Sequence, residues 1–348
     1  MNRTTRVALA FLLFAGAGAA CSPTATPAPP GTVAAASSAP SSPAATPSPS
    51  ASQRPPAVTL AEAGKVVRGI LGADDVVRAS GDESFALAQT RDAQAQIIAV
   101  AFQSTGREPP RYTWGTPTLL VPRLDRPPYW FAAVAERKDE SGRSRTAMLV
   151  FMKQYEVSLW QLSFASLLYP GTPPPAVSLD PEGYATALPT KDDTVAISPH
   201  LMAPLHATIA EEGPGGFAAE LIAAGPQTTG YFTEVEKIQP DFKRRGFLYD
   251  SLFAATAFPI YALRTTDGGA AIMYSLTRTT LWQAKIKATE GLVPVPEDVR
   301  WDVGSLTVPY MLRVVDTQQY VSHVSRKGSP EPARIIAFDD APTGVSSR

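Results

Sequence analysis

Cysteine is almost absent from this chain: Cys21 is the only one in 348 residues. No intramolecular disulfide can form, and zinc sites built on paired cysteines are excluded. Histidine is scarce too, confined to His200, His206 and His323. Pro204 stands between His200 and His206, so no histidine pair sits at metal-ligand spacing. The chain also lacks a Gly-x-Ser-x-Gly elbow, which leaves nucleophilic hydrolysis without its usual parts. Gly213-Pro214-Gly215-Gly216 is followed by no Lys-Ser/Thr and reads as a turn, not a phosphate loop. There is no long basic run to displace counterions, so nucleic acid is not an expected partner. Nothing in these absences calls for a cofactor or a metal.

The N-terminus carries processing information. Arg3 and Arg6 form a short positive segment, and Val7 to Ala20 is apolar or small without a charge. That stretch is too short to cross a bilayer, which takes about 20 residues, and it suits a signal-peptide core over residues 1–20. Gly18-Ala19-Ala20-Cys21 resembles the lipobox of bacterial lipoproteins, although Gly18 stands where that family usually has leucine. The resemblance implies cleavage before Cys21, a diacylglycerol on its thiol, further acylation such as palmitate, and residence on the outer face of the cytoplasmic membrane. The alternative is a plain secretory signal cut after Ala19, with Cys21 an incidental thiol. Removing residues 1–20 leaves 29 Lys and Arg against 32 Asp and Glu, a formal charge of about −3.

Residues 21–58 are almost wholly Ser, Thr, Pro and Ala, with Arg54 the only charge. Such a stretch has too few large apolar side chains to offset the entropy of ordering, so a disordered linker is expected. From Thr59 the composition becomes mixed. Val66, Val67, Ile70 and Leu71 predict a helix within Ala61–Arg78, and Phe85, Ala88, Asp92, Ala95 and Ala99 predict a second over Asp82–Gln103. Strands follow at Thr118–Arg123, Tyr129–Arg137, Arg145–Lys153 and Leu159–Leu167, with Lys138–Arg143 as a hairpin loop. Pro170 to Pro199 holds seven prolines and reads as a crossing between lobes. Helices are then expected at His206–Glu212 and Thr233–Arg245. Strands are expected at Leu248–Ala257, Ile260–Thr265, Ala270–Arg278, Leu306–Val315 and Arg334–Phe338. Asp267-Gly268 marks the clearest tight turn.

The order helices-then-strands occurs twice, and Tyr129–Val134 with Ala147–Phe151 parallels Pro259–Leu263 with Ala270–Tyr274. Trp160 and Trp282 each follow. The expected fold class is α+β: two tandem helix-plus-curved-antiparallel-sheet lobes, NTF2-like or cystatin-like by analogy. They would span residues 59–189 and 190–340, with 341–348 as a tail.

Three segments carry a wider resemblance: Arg91-Asp92-Ala93, Asp180–Pro189 and Phe258–Ala270. Together they resemble a family of uncharacterised secreted proteins and lipoproteins of actinobacteria. The excess of arginine over lysine, 22 to 9, fits a GC-rich source. The resemblance implies location and domain extent, and no reaction.

Adjacent carboxylates occur at Asp74-Asp75, Asp192-Asp193, Glu211-Glu212 and Asp339-Asp340, but sequence neighbours seldom face one another across a substrate. Aromatics are the remaining candidates. Trp114, Trp130, Trp160, Tyr261, Tyr274 and Trp282, with Tyr129 and Tyr249, would line the mouth of a curved sheet and bind sugar or peptide; core packing accounts for them as well. The expected function is that of a cell-surface lipoprotein, membrane-tethered, whose non-catalytic ectodomain binds or scaffolds an envelope protein, peptide or glycan. The alternatives are an envelope hydrolase, which requires converging carboxyls, and a structural assembly accessory, which requires a large exposed apolar patch.

Overall fold

The computed structural model describes residues 56–285 and 291–348. The signal peptide, Cys21 and nearly all of the linker lie outside the described residues.

Helix α1 (Leu60–Ser80) starts at Thr59, whose Oγ1 accepts the Glu62 N–H at 3.1 Å, and stops at Gly81 in the left-handed conformation. This is the Thr-x-x-Glu start and glycine stop that favour a defined helix. The second expected helix is broken in two, α2 (Glu83–Ala88) and α3 (Asp92–Gln103). The break has a cause outside the helix. Residues 89–91 pair with a strand, the Leu162 N–H donating to Gln89 O at 2.9 Å and the Arg91 N–H to Leu162 O at 3.0 Å.

Five strands come next: β1 (Tyr112–Trp114), β2 (Thr118–Leu120), β3 (Tyr129–Asp139), β4 (Ser144–Lys153) and β5 (Gln161–Leu168). Helix α4 (Pro199–Glu212) is longer than its periodicity suggested, because Pro199 sits in its first turn, where a missing N–H costs nothing. After α5 (Thr229–Arg244) come β6 (Phe247–Ala255), β7 (Tyr261–Arg264) and β8 (Ala270–Ala284). A small hairpin of β9 (Leu292–Pro294) and β10 (Thr307–Pro309) precedes β11 (Met311–Val324) and β12 (Arg334–Ser347). The single strand expected over Leu306–Val315 is interrupted at Tyr310, which has φ 55°. Residues 341–348 are no tail: β12 continues to Ser347 and pairs with β11 along most of its length.

The fold is α+β, and its antiparallel strands run in the order β1-β3-β4-β5-β12-β11-β8-β6, with β2 added to β3 and β7 to β8. The two expected lobes therefore share one ten-stranded sheet. They meet where Leu168 and Leu167 pair with Ala337 and Phe338, the only register between β5 and β12. Beyond that short seam the halves fold over each other. Met148, Val150, Phe164 and Leu168 on one side bury Leu263, Met273, Val321 and Ala337 on the other. The opposite face of β3–β5 packs on α1, and α4 and α5 cover β6, β8 and β11. The proline-rich crossing laces along the second half, the Leu188 N–H reaching Ala262 O at 2.9 Å. The internal parallel stops at the hairpins, since Trp282 lies on β8 itself while Trp160 precedes a separate strand.

Candidate binding cleft

A cavity of about 1330 Å³ opens where the β3–β4 hairpin, the strand β1 and the end of β5 come together. Four arginines border it, Arg111, Arg137, Arg143 and Arg145, with Glu136, Asp139 and Glu140 as its acids. Its base is rigid. Asp139 Oδ1 accepts the Ser141 and Arg143 N–H groups, both at 3.0 Å, which closes the hairpin over Gly142 at φ 81°. The Ser141 hydroxyl and Arg143 bonded to Asp139 hold its carboxyl below the ordinary carboxylate range. Arg111 forks onto Asp75 of α1 at 2.8 and 2.6 Å. Each member of that pair stabilises the charged form of the other, lowering the Asp75 pKa and raising that of Arg111. These two arginines are neutralised by carboxylates.

The other two are not matched in the same way. Arg137 and Arg145 are direct cross-strand partners on β3 and β4. Like charges placed opposite each other destabilise a sheet, so their surroundings must compensate. Arg137 lies 4.2 Å above the Tyr112 ring, which Arg78 covers at 4.8 Å. Arg145 Nη2 donates to Leu168 O at 2.8 Å and Leu167 O at 3.3 Å, while its buried Nε has no acceptor. One acid serves both: Asp339 sits 3.8 Å from Arg137, its pKa raised by desolvation against the pull of Arg137 and Arg145. Arg78 acts on the same carboxyl, so three guanidinium groups surround Asp339.

The aromatics expected to form one mouth are dispersed. Trp114 borders a small cavity beneath α1 and donates to Asp74 at 2.9 Å. Trp130 and Tyr261 do meet, with ring centroids 5.0 Å apart, in the core between the sheet halves. Trp160 packs edge-on to Phe131 and donates to Glu62, Tyr274 is fully buried beneath α4, and Trp282 packs with Tyr249 near the β9–β10 hairpin. Tyr129 is buried with the α1-facing core.

His206 is fully buried. Its Nδ1 meets the Tyr274 hydroxyl at 2.9 Å and its Nε2 the Gln227 carbonyl at 2.6 Å. Burial pushes its pKa down to about 4. His323 pairs with Asp267 at 2.9 Å, and His200 contacts the Thr190 carbonyl at 2.8 Å. Among the described residues no three His, Cys, Asp or Glu side chains are grouped to hold a metal ion.

The acidic doublets split as adjacent residues on regular elements do. Asp74 takes Arg78 and Asp75 takes Arg111; Glu211 accepts the Phe253 N–H; Asp192 faces Arg264 at 3.4 Å. Asp339 and Asp340 lie on opposite faces of β12. Asp340 shares its face with Asp316 of β11, close to Arg278 and Glu234. Desolvation, with repulsion from Asp316 and Asp339, pushes Asp340 up to about 7; desolvation raises Asp316 to about 6.

The arginine pair escaped the sequence reading, although the hairpin loop placed at Lys138–Arg143 held the signal. Pairing outward from that loop brings Arg137 close to Arg145.

Residues 54–347 match the model of a family described as a domain of unknown function, DUF8094. Among curated proteins the chain is 26% identical to an uncharacterised lipoprotein of Streptomyces avermitilis, over 63% of this chain and 65% of that protein. It is 28% identical to the uncharacterised lipoprotein SCO6871 of Streptomyces coelicolor, over 68% of this chain and 64% of that one. The chain thus spans just under two thirds of the length of these relatives. No solved structure matches.

Proposed function

The chain belongs to the DUF8094 family, and from that premise we propose a lipid-anchored envelope protein whose folded domain binds an acidic envelope component in the arginine-lined cleft. Three supports bear on the anchor: the lipobox-like Gly18–Cys21, the lipoprotein names of the relatives, and an uncharacterised actinobacterial family. No helix among the described residues is long and apolar enough to cross a membrane. Placement on the outer face follows from export.

One observation carries the binding role: Arg137 and Arg145 face each other across β3 and β4 with one shared carboxylate and an unpaired Nε. Like charges held together against their repulsion are an arrangement that an anion relieves. The cleft's volume exceeds that of typical small-molecule pockets, roughly 300–1,000 Å³, and suits an extended ligand such as an acidic glycan or peptide. Asp139 is unsuited to the role of a glycosidase acid, which needs a raised pKa, because its own is lowered. The test is to extract the protein in mild detergent and identify by mass spectrometry what co-purifies. Acidic polymer should accompany the wild type and be lost from Arg137→Gln and Arg145→Gln. Equal recovery from all three refutes the reading.

A hydrolase reading draws on another place, the Asp316–Asp340 face, whose raised carboxyls fit an acid–base pair. It predicts release of reducing sugar ends or free amines from envelope polymer by the wild type and none by Asp340→Asn. No release by the wild type removes it.

A further inference from the structure

We propose that the β4–β5 hairpin tip, residues 154–159, is a lipid-contacting surface that seats the folded domain on the bilayer holding its anchor; this rests on the lipid-anchor reading. Three large apolar side chains within five residues face solvent there. Tyr155 is 62% exposed, Val157 95% and Leu159 82%. No other five-residue stretch among the described residues exposes three such side chains. Glu156 is the only charge in the tip. The turn is held by the Ser158 N–H donating to Tyr155 O at 3.1 Å and the Tyr155 N–H to Ser158 Oγ at 3.2 Å. The apolar groups are therefore presented outward on a hydrogen-bonded turn.

An exposed tip with one tyrosine, two aliphatic side chains and a single charge matches the bilayer interface. There tyrosine sits at headgroup level and aliphatic side chains reach the acyl boundary. The location of the tether makes the case specific. The described structure begins at Pro56, downstream of Cys21, and its first residues lie beside the base of this tip. Val58 is buried in the same cluster as Trp160, and Glu62 of the first turn of α1 bonds Trp160 at 3.0 Å and Lys153 at 3.4 Å. Lys153 and Trp160 are the residues that flank the tip. Lys153 in turn lies over the Tyr129 and Trp160 rings at 5.4 and 5.0 Å, which stiffens the base. The ten residues of β4 carry the chain from this end to the cleft, about 30 Å at the rise of an antiparallel strand. A tip seated on lipid therefore points the arginines away from the membrane.

The test uses Val157→Cys in the full chain, extracted from the producing cells and labelled with a polarity-sensitive thiol dye. Labelled protein is then placed in vesicles of phosphatidylcholine and phosphatidylglycerol. Ser141→Cys, in the β3–β4 loop at the opposite end of β4, is the matched control. Acylated Cys21 takes no dye, so each variant carries one label. The proposal expects a blue shift and a several-fold rise in emission at position 157, quenched by brominated lipid, with position 141 unchanged. One label per chain with both positions equally water-exposed overturns the tip while leaving the anchor intact. Two labels per chain mean an unmodified Cys21 and overturn both. A signal at 157 that grows with protein concentration without vesicles marks contact between copies and overturns lipid docking. Residue 157 is almost fully exposed, so its replacement leaves folding unaffected.

Discussion

Acidification from about pH 7.5 to about 5 offers a proton that the unfolded chain accepts and the folded one refuses at His206. The side chain is fully buried between the Tyr274 hydroxyl and the Gln227 carbonyl, and Tyr320 packs edge-on at 4.4 Å. Its pKa falls from an ordinary 6.5 to about 4. A depressed pKa contributes stability that is complete above the unfolded value and is lost as pH falls from 6.5 through about 4. Between neutrality and pH 5 the loss is about 2 kcal/mol, approaching about 3 kcal/mol in stronger acid. Asp340 and Asp316 pull the other way. Their raised pKa values give stability that is present below the ordinary carboxylate value and lost as pH rises through about 6 to 7. The His206 contribution must therefore be read as a difference. Urea unfolding, followed by tryptophan fluorescence at several pH values, is compared for the wild type and His206→Gln. Glutamine costs about 1–3 kcal/mol at neutral pH through imperfect hydrogen bonds. That gap should shrink by about 2 kcal/mol at pH 5. A gap that stays constant with pH refutes the buried neutral imidazole.

Three further outcomes follow from the same geometry. Arg137→Gln removes one of two opposed like charges, so stability should change by less than about 1 kcal/mol. Affinity for an acidic polymer, read by fluorescence titration, should meanwhile drop at least about tenfold. Gln94→Leu removes a buried Oε1 that has no partner and should be neutral or stabilising by about 1 kcal/mol in urea unfolding; a clear loss would show that the amide is satisfied in solution. Gly269→Ala places a methyl 2.3 Å from the Val324 carbonyl oxygen and should lower stability by roughly 2 kcal/mol or more, whereas an unchanged melting temperature would contradict that packing.

Local signals made much of the fold legible. Thr59 and Gly81 delimit α1, Asp267-Gly268 turns β7 into β8, short apolar runs between turn residues mark β3 and β4, and alternation marks β6. What stayed hidden was non-local. The helix break at residues 89–91 is imposed by Leu162, some seventy positions away, and no periodicity in the segment itself announces it. The seam between β5 and β12 rests on two residue pairs, too little to leave a pattern. β12 runs on past Phe338 because β11 offers it a partner, although Asp339, Asp340, Pro342 and Gly344 read as a strand ending. The aromatics were misleading because packing in four cores and lining one mouth call for the same residue types. The arginine pair was within reach, since a hairpin loop fixes which residues oppose each other. Charge dispersed along the chain hid charge gathered across strands.

In the proposed arrangement a diacylglycerol on Cys21 ties the domain to lipid and gives the tip and cleft their orientation. The direct measurement is the intact mass of the mature N-terminal peptide from protein extracted out of the producing cells' membranes. We expect the chain to begin at Cys21 with a diacylglycerol on its sulfur. A free thiol on a protein recovered from the culture medium would contradict the anchor, and the membrane-bound picture with it.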